Sequence, residues 1–301
     1  MSGRLQRAWD GLRWLLKPTG LRRAVALLED RLHRMEARQL EMESRLSALA
    51  SPTNVPVEVH GHYMFLDRHD SLALSIHHTH EPYQTELVRR LLQPGWTVVD
   101  AGAHIGYYAL LAARQVGAGG RVLAFEASPH AAVLLRRNLL ANGYPAVQVH
   151  ESALHRAPAR LTFYTCEDGL AGGSIHHPGG GWHWQALDVE AVSLDAILPP
   201  GTRVDFVKTD IQGAEAHALA GMQRCLSDNP SVQLLVEYWP RGLAACGTPP
   251  ADFLADLERQ GFRLQDVRET ERAVVPTTPA ELLARYPAEG WSHTNLLCAR
   301  A

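Results

Sequence analysis

The segment Trp96–Glu126, WTVVDAGAHIGYYALLAARQVGAGGRVLAFE, limits what this chain can fold into more than any other. Thr97-Val98-Val99 is an apolar run of strand length, Asp100 stands where it ends, and Gly102, Ala103 and Gly106 follow. Tyr107 to Gln115 are good helix formers punctuated by Gly117, Gly119 and Gly120. Arg121 to Phe125 is a second apolar strand, and it ends on Glu126. A strand–turn–helix–strand unit of this kind requires a parallel sheet covered by helices.

The glycines permit a sharp turn and close approach of the backbone to a ligand at the amino end of a helix. A dinucleotide fingerprint reads G-x-G-x-x-G. This chain instead reads D-x-G-A-x-x-G, with Asp100 in the lead and His104 where a glycine would be needed. An acidic lead residue suits a cationic ligand, and Glu126 can accept hydrogen bonds from two ribose hydroxyls. Acids before the loop and after the second strand fit S-adenosylmethionine better than NAD. A tight turn in an ordinary α/β protein is the plainer alternative.

With 301 residues, 46% of them hydrophobic, the chain can bury a full α/β core plus an appendage. A formal net charge of −3 gives no argument for nucleic acid as a partner. Cys166, Cys225, Cys246 and Cys298 are scattered with no C-x-x-C pair, which fits a reducing compartment. No apolar run reaches membrane-spanning length and no cleavable signal is seen, so the expected location is cytoplasmic.

Residues 1–20 read as a basic amphipathic helix. Up to Arg23 there are six basic residues against Asp10, with Trp9 and Trp14 among them, a composition suited to an anionic membrane surface or to packing on the protein itself. Residues 21–50 carry a heptad: Val25, Leu32, Gln39 and Leu46 at a, and Leu21, Leu28, Met35, Met42 and Leu49 at d. Arg31 would face Glu36 of a parallel partner, and Arg38 would face Glu43, whereas antiparallel pairing sets arginine against arginine. A homo-oligomer through a parallel coiled coil follows, dimer or trimer. A linker and short strands over 51–80, including alternation at Leu72, Leu74 and Ile76, lead into the main domain at 81–301. His77-His78-Thr79-His80 reads as solvated, since adjacent histidines on a strand point to opposite faces.

Beyond Glu126 the pattern gives a helix over 129–142, amphipathic through Ala132, Leu135, Leu139 and Leu140. Strands follow at 147–150, 161–165, 189–194, 204–208, 232–236, 262–267 and 293–299, with helices over 215–226 and 252–260. The loop Gly169–Trp184, rich in glycine, tryptophan and histidine, reads as a substrate cover. Asp100, Glu126, Ser152, Asp210 and Glu237 fall at strand ends, where ligands sit in open α/β sheets. Four acids on one edge repel unless a cation or hydrogen-bond donors intervene. A sulfonium cofactor supplies charge, and a divalent cation such as Mg²⁺ could bridge Asp210 and Glu237. Asp210 is the first choice to take the acceptor proton, with capping of the next helix as its alternative. Lys208 pairs with a neighbouring carboxylate more readily than it reacts.

The blocks VVDAGAHIGYYAL, RVLAFEASP with NLLANG, VSLDAIL, DFVKTDIQGAE and LLVEY, in this order, resemble the FkbM family of S-adenosylmethionine-dependent methyltransferases over residues 55–300. The resemblance implies a class I methyltransferase (Rossmann-like) fold: a seven-stranded sheet with its last strand antiparallel and helices on both faces. It also implies O-methylation of a hydroxyl on a saccharide, glycan or natural-product acceptor. Asp100, Gly102, Ala103, Gly106 and Tyr107 fall on the family's first cofactor motif, Glu126 beside Ala127 on its ribose acid, and Ser152-Ala153 at the adenine border. Asp210, Gly213 and Glu215 fall on the block near the transferred methyl, where Lys208, Asp210 and Glu237 are the catalytic candidates. His104 stands in place of the usual Asn, its backbone still able to face the cofactor, and Gln212 replaces the usual Glu. The alternatives are a non-catalytic scaffold, for which Gln212 leaves room, and an NAD-dependent sugar oxidoreductase, which would need glycine at 104.

Overall fold

A computed structural model of the chain describes residues 55–166, 173–177 and 184–300. The basic helix, the coiled coil and part of the Gly169–Trp184 loop lie outside the described residues. Strands β1 (Val57–Val59) and β2 (His62–Met64) form an antiparallel pair. The main sheet uses β3 (Thr97–Ala101), β4 (Arg121–Phe125), β5 (Gln148–His150), β9 (Phe206–Thr209), β10 (Gln233–Tyr238), β11 (Phe262–Arg268), β12 (Ala273–Pro276) and β13 (Thr294–Arg300). A small second sheet consists of β6 (Ala153–Leu154), β7 (Ala159–Cys166) and β8 (Trp184–Val192).

The main sheet runs β12-β11-β13-β10-β9-β3-β4-β5. Strands β5, β4, β3, β9 and β10 are mutually parallel, and β13 lies antiparallel between β10 and β11. That is the expected seven-stranded class I methyltransferase sheet, extended by the edge strand β12. Alternate residues face opposite cores, as a sheet covered on both sides demands. Val98, Val122, Phe206 and Leu235 pack against α2 (Tyr107–Val116) on one face. Val99, Leu123, Val207 and Leu234 pack on the other, against Leu219, Leu226 and Leu254 of the helices Glu215–Ala220, Gln223–Asp228 and Pro250–Arg259. Helix α1 (Pro82–Leu91) joins the first face.

Helix α3 (Pro129–Ala141) starts from Ser128, whose hydroxyl accepts from Ala131 N, and its buried stripe is Ala132, Leu135, Asn138 and Leu139. Leu140 is 65% exposed, so the apolar face is narrower than the pattern suggested. The Asn138 amide serves the chain after β2, accepting from Phe65 N and donating to Phe65 O and Ile105 O. Leu72-Leu74-Ile76 is not a strand: Leu74–His77 is a helical turn, because the Asp70 carboxylate accepts from Leu74 N and Ser75 N. The expected single helix after Glu215 is two helices, interrupted at Gly221-Met222. A Cβ on Gly221 would lie 2.0 Å from His155 O, so the backbones meet there. Among the described residues no helix is long and apolar enough to cross a membrane.

Candidate active site

Two turns at the carboxyl tips of β3 and β9 build the site. In the first, Gly102 N and Ala103 N donate to Phe125 O at 2.9 and 3.0 Å, tying the turn to β4. Gly102 has φ +81°, and a Cβ there would stand 2.0 Å from Asp210 O. Glycine is therefore required for contact between the two turns themselves. His104 has φ +50°, a left-handed conformation that His and Asn both tolerate. Its N–H donates to Glu126 Oε2 at 2.7 Å, while Ser128 N donates to Oε1 at 2.7 Å. Glu126 is 7% exposed; burial raises its pKa, opposed by His104 and by these backbone donors.

In the second turn Asp210 N donates to Ala101 O at 3.1 Å, and Gln212 takes φ +55°. The fully buried Glu215 turns back, its Oε1 accepting from Ile211 N at 3.0 Å and Gly213 N at 3.3 Å. Burial, with Asp210 adding to it, pushes Glu215 up to about 7 against the pull of those donors. Lys208 Nζ lies 3.1 Å from Asp210 Oδ2 and 4.6 Å from the centre of the Tyr108 ring. Burial works against the Asp210 charge, but Lys208, His80 and Gln212 outweigh it and hold the carboxyl below its usual range. Lys208 is raised: burial opposes its charge, and Asp210 and Asp100 prevail. Gln212 Nε2 donates to Asp210 Oδ1 at 3.2 Å and to both Glu237 oxygens at 3.4 Å. Glu237 is buried and held well above the ordinary carboxylate range by that burial, then by Asp210 and Glu215.

A cavity of about 340 Å³ opens between these turns. Of the residues expected to bind cofactor, Gly102, His104, Glu126, Ala127, Ser152, Ala153 and Asp210 line it. Ala103, Gly106 and Tyr107 are buried and do not line it. A Cβ on Gly106 would press on Leu135, and the buried Tyr107 hydroxyl bonds Thr85 Oγ1 at 2.9 Å. Asp100 is not in the cavity wall. It is 1% exposed on the α2 side of the sheet, with Lys208 opposite it in register, and burial pushes it up to about 6. Lys208 and Glu237 likewise sit behind Asp210 and not in the wall. Cavity residues that sequence reasoning passed over include Phe125, Leu154, Phe163 and His80. His80 belongs to the tract expected to be solvated; its ring packs edge-on against Tyr107 at 5.9 Å, and Nε2 lies 3.7 Å from Glu81 Oε2. Gly173 and Ile175, from the expected cover loop, also line the cavity, and Ser174 Oγ donates to Gln212 O at 3.1 Å.

The expected Mg²⁺ bridge does not fit this donor set. The amide nitrogen of Gln212 stands between Asp210 and Glu237 and donates to both, and Lys208 occupies the other Asp210 oxygen. Among the described residues no group of three or more His, Cys, Asp and Glu could hold a metal ion. S-adenosylmethionine does fit. Glu126 retains an unused lone pair on each oxygen for ribose hydroxyls, Phe125, Leu154 and Phe163 give an apolar wall for a base, and ionised Asp210 suits a cationic sulfur.

The family model for the methyltransferase FkbM domain matches residues 100–264. The chain is 30% identical over 113 residues to ribosomal RNA large subunit methyltransferase E of Sorangium cellulosum, covering 37% of this chain and 52% of that protein. It is 30% identical over 159 residues to methyltransferase 1 of Beauveria bassiana, covering 46% of this chain and 64% of that one. It thus spans less than two thirds of either relative. A solved S-adenosylmethionine-dependent methyltransferase from Aquifex aeolicus superposes with a TM-score of 0.41 at 18% identity, over 73% of this chain and 90% of that one. With the matched domain running from Asp100 at the tip of β3 through Asp210 and Glu237 to Leu264 in β11, more than half of its length, the chain belongs to the FkbM family of S-adenosylmethionine-dependent methyltransferases.

Proposed function

We propose that this chain transfers a methyl group from S-adenosylmethionine to a hydroxyl oxygen of a saccharide or natural-product acceptor. The observation that carries the reading is the placement of Glu126 and Asp210 on two strands flanking β3, both lining one cavity with an apolar wall. When bound, S-adenosylmethionine supplies an electrophilic methyl on a cationic sulfur. Glu126 holds the ribose, its own orientation fixed by His104 N and Ser128 N. Asp210 stays ionised beside Lys208, accepts the hydrogen bond of the acceptor hydroxyl, and takes its proton as the new C–O bond forms. Direct displacement needs alignment more than covalent help, and the Lys208 and Gln212 bonds supply that alignment by fixing both Asp210 oxygens.

Labelled S-adenosylmethionine offered with a panel of glycans, nucleotide sugars and polyketides tests the reading. The wild type should label an acceptor oxygen. Asp210→Asn should bind S-adenosylhomocysteine yet transfer no label. Label found only on nitrogen or carbon refutes the proposed chemistry, and wild-type transfer by Asp210→Asn refutes the role given to Asp210.

A further inference from the structure

The exposed Leu140 does not stand alone on α3. Val133 is 64% exposed and Leu140 65%, and Arg136 and Arg137 lie between them. Helical spacing puts these four on the outer face of α3, opposite the buried Ala132, Leu135, Asn138 and Leu139. Tyr63 of β2, 59% exposed, continues the patch past the end of the helix. Asn142 Oδ1 accepts from Tyr63 N at 2.8 Å, and Asn142 Nδ2 donates to Tyr63 O at 2.7 Å. Single exposed apolar side chains are ordinary, but a contiguous group marks an interaction surface.

The charge around this patch is mainly positive. The helix sequence, PHAAVLLRRNLLA, holds two arginines and no acid. Arg121 Nη2 donates to Gln148 Oε1 at 2.8 Å, Arg136 Nη2 donates to Val149 O at 3.1 Å, and Arg137 lies 3.5 Å from the centre of the Phe65 ring. Those partners are uncharged, so three guanidinium groups keep their charge beside the apolar stripe. The acid of the β1–β2 hairpin, Glu58 opposite Tyr63, is taken up by its own turn, where it accepts from Gly61 N at 2.8 Å. The sequence ahead of Val55 has the same character: residues 1–23 carry six basic residues against Asp10, with Trp9 and Trp14. A second copy docked on the same face by two-fold symmetry would set arginine against arginine. A surface of lipid phosphates suits both features, since it takes apolar side chains below the plane where it meets the guanidinium groups.

We infer that the outer face of α3, together with Tyr63, docks on an anionic membrane. Val133, Leu140 and Tyr63 enter the headgroup region, while Arg121, Arg136 and Arg137 meet lipid phosphates. Ser128, the cap of α3, and Ala131 in its first turn line the cavity, so a docked α3 brings the cavity to the membrane surface. The inference is independent of the methyl-transfer reading.

Co-sedimentation of the full-length protein with vesicles of phosphatidylglycerol or of phosphatidylcholine tests it, with circular dichroism to show that each variant is folded. Pelleting with phosphatidylglycerol alone is expected, weakening as salt is added. Affinity for those vesicles should fall at least five-fold in Val133→Ser/Leu140→Ser and in Arg136→Gln/Arg137→Gln. It should stay within two-fold in Leu283→Ser, which replaces an exposed leucine on the separate helix Pro279–Arg285. Wild type that pellets with neither vesicle overturns the inference. Undiminished pelleting of both double variants overturns it too and leaves residues 1–23 as the membrane contact. A wild-type dimer in sedimentation velocity that both double variants lose, with vesicle binding unchanged, assigns the face to a second copy and also overturns it.

Discussion

Replacing Gly102 by alanine should damage the fold and the site together, through one contact. The new Cβ would lie 2.0 Å from Asp210 O, and tolerable contact begins near 3.0 Å, so one turn must move by about 1 Å. That movement strains the 3.1 Å bond from Asp210 N to Ala101 O, which joins the same two turns. Alanine at φ +81° costs about 1–2 kcal/mol. Overpacking adds roughly 1–3 kcal/mol and a weakened buried hydrogen bond about 1 kcal/mol. The sum is on the order of 3–6 kcal/mol, a large share of a typical domain's stability. Gly143→Ala is the matched control: φ is +78°, but nothing lies within 4 Å of its Cβ, so only the conformational cost of about 1–2 kcal/mol applies. Urea denaturation measures both, and calorimetry with S-adenosylhomocysteine should show binding weakened at least ten-fold in Gly102→Ala alone. Equal destabilisation by the two substitutions, with cofactor affinity intact in both, would refute the close packing of the turns.

Three further outcomes follow from the buried charges and from the heptad. The folded-state pKa of Glu215 lies above its unfolded value, so its contribution to stability is fully present below about pH 4.5 and is lost as pH rises to about 7, roughly 3 kcal/mol in all. Glu215→Gln keeps the acceptor for Ile211 N and Gly213 N, so its stability relative to wild type should climb between pH 4.5 and 7 in parallel urea series; a constant difference contradicts the burial argument. Lys208→Met removes the buried ammonium held by Asp210 and should cost about 3–5 kcal/mol at pH 8, less at pH 5 where the carboxylates can take up protons; equal losses at both pH values would show that the pair is not electrostatic. In the proposed parallel coiled coil of residues 21–50, Leu28→Cys should form a disulfide between protomers on mild oxidation, and cross-links joining only opposite ends of the helices would contradict the parallel order.

The β3–α2–β4 unit was legible because buried parallel strands and a glycine turn leave a strong local pattern, and its limits fell within two residues of those observed. What the sequence concealed was governed by tertiary contact. Leu72, Leu74 and Ile76 alternate like a strand, yet the Asp70 carboxylate caps a helical turn there. Edge strand β12, Ala273-Val274-Val275-Pro276, is apolar but only four residues long, ends on a proline and pairs only with β11, so the run is too short and too close to a breaker to stand out as a strand. The helix Pro279–Arg285 could have been read from its capping box, Thr278 with Glu281, and was passed over.

In the site, residue type located the acids but not their direction. Asp100 shares a sheet face with Val98 and is buried on the α2 side, whereas Glu126, at the equivalent end of β4, reaches the cavity. No one-dimensional pattern separates these two placements. Gln212 looked like a lost acid and proves to be the amide that joins Asp210 to Glu237, its nitrogen filling the place between the two carboxyl groups.

Calorimetric titration of S-adenosylhomocysteine into wild type and Glu126→Ala tests the central claim most directly, that the cavity between the tips of β4 and β9 holds the methyl donor by its ribose and its charge. The account predicts one site per chain at micromolar affinity in the wild type and at least ten-fold weaker binding in Glu126→Ala. No binding to the wild type at tens of micromolar, or equal affinity in the two proteins, would contradict it.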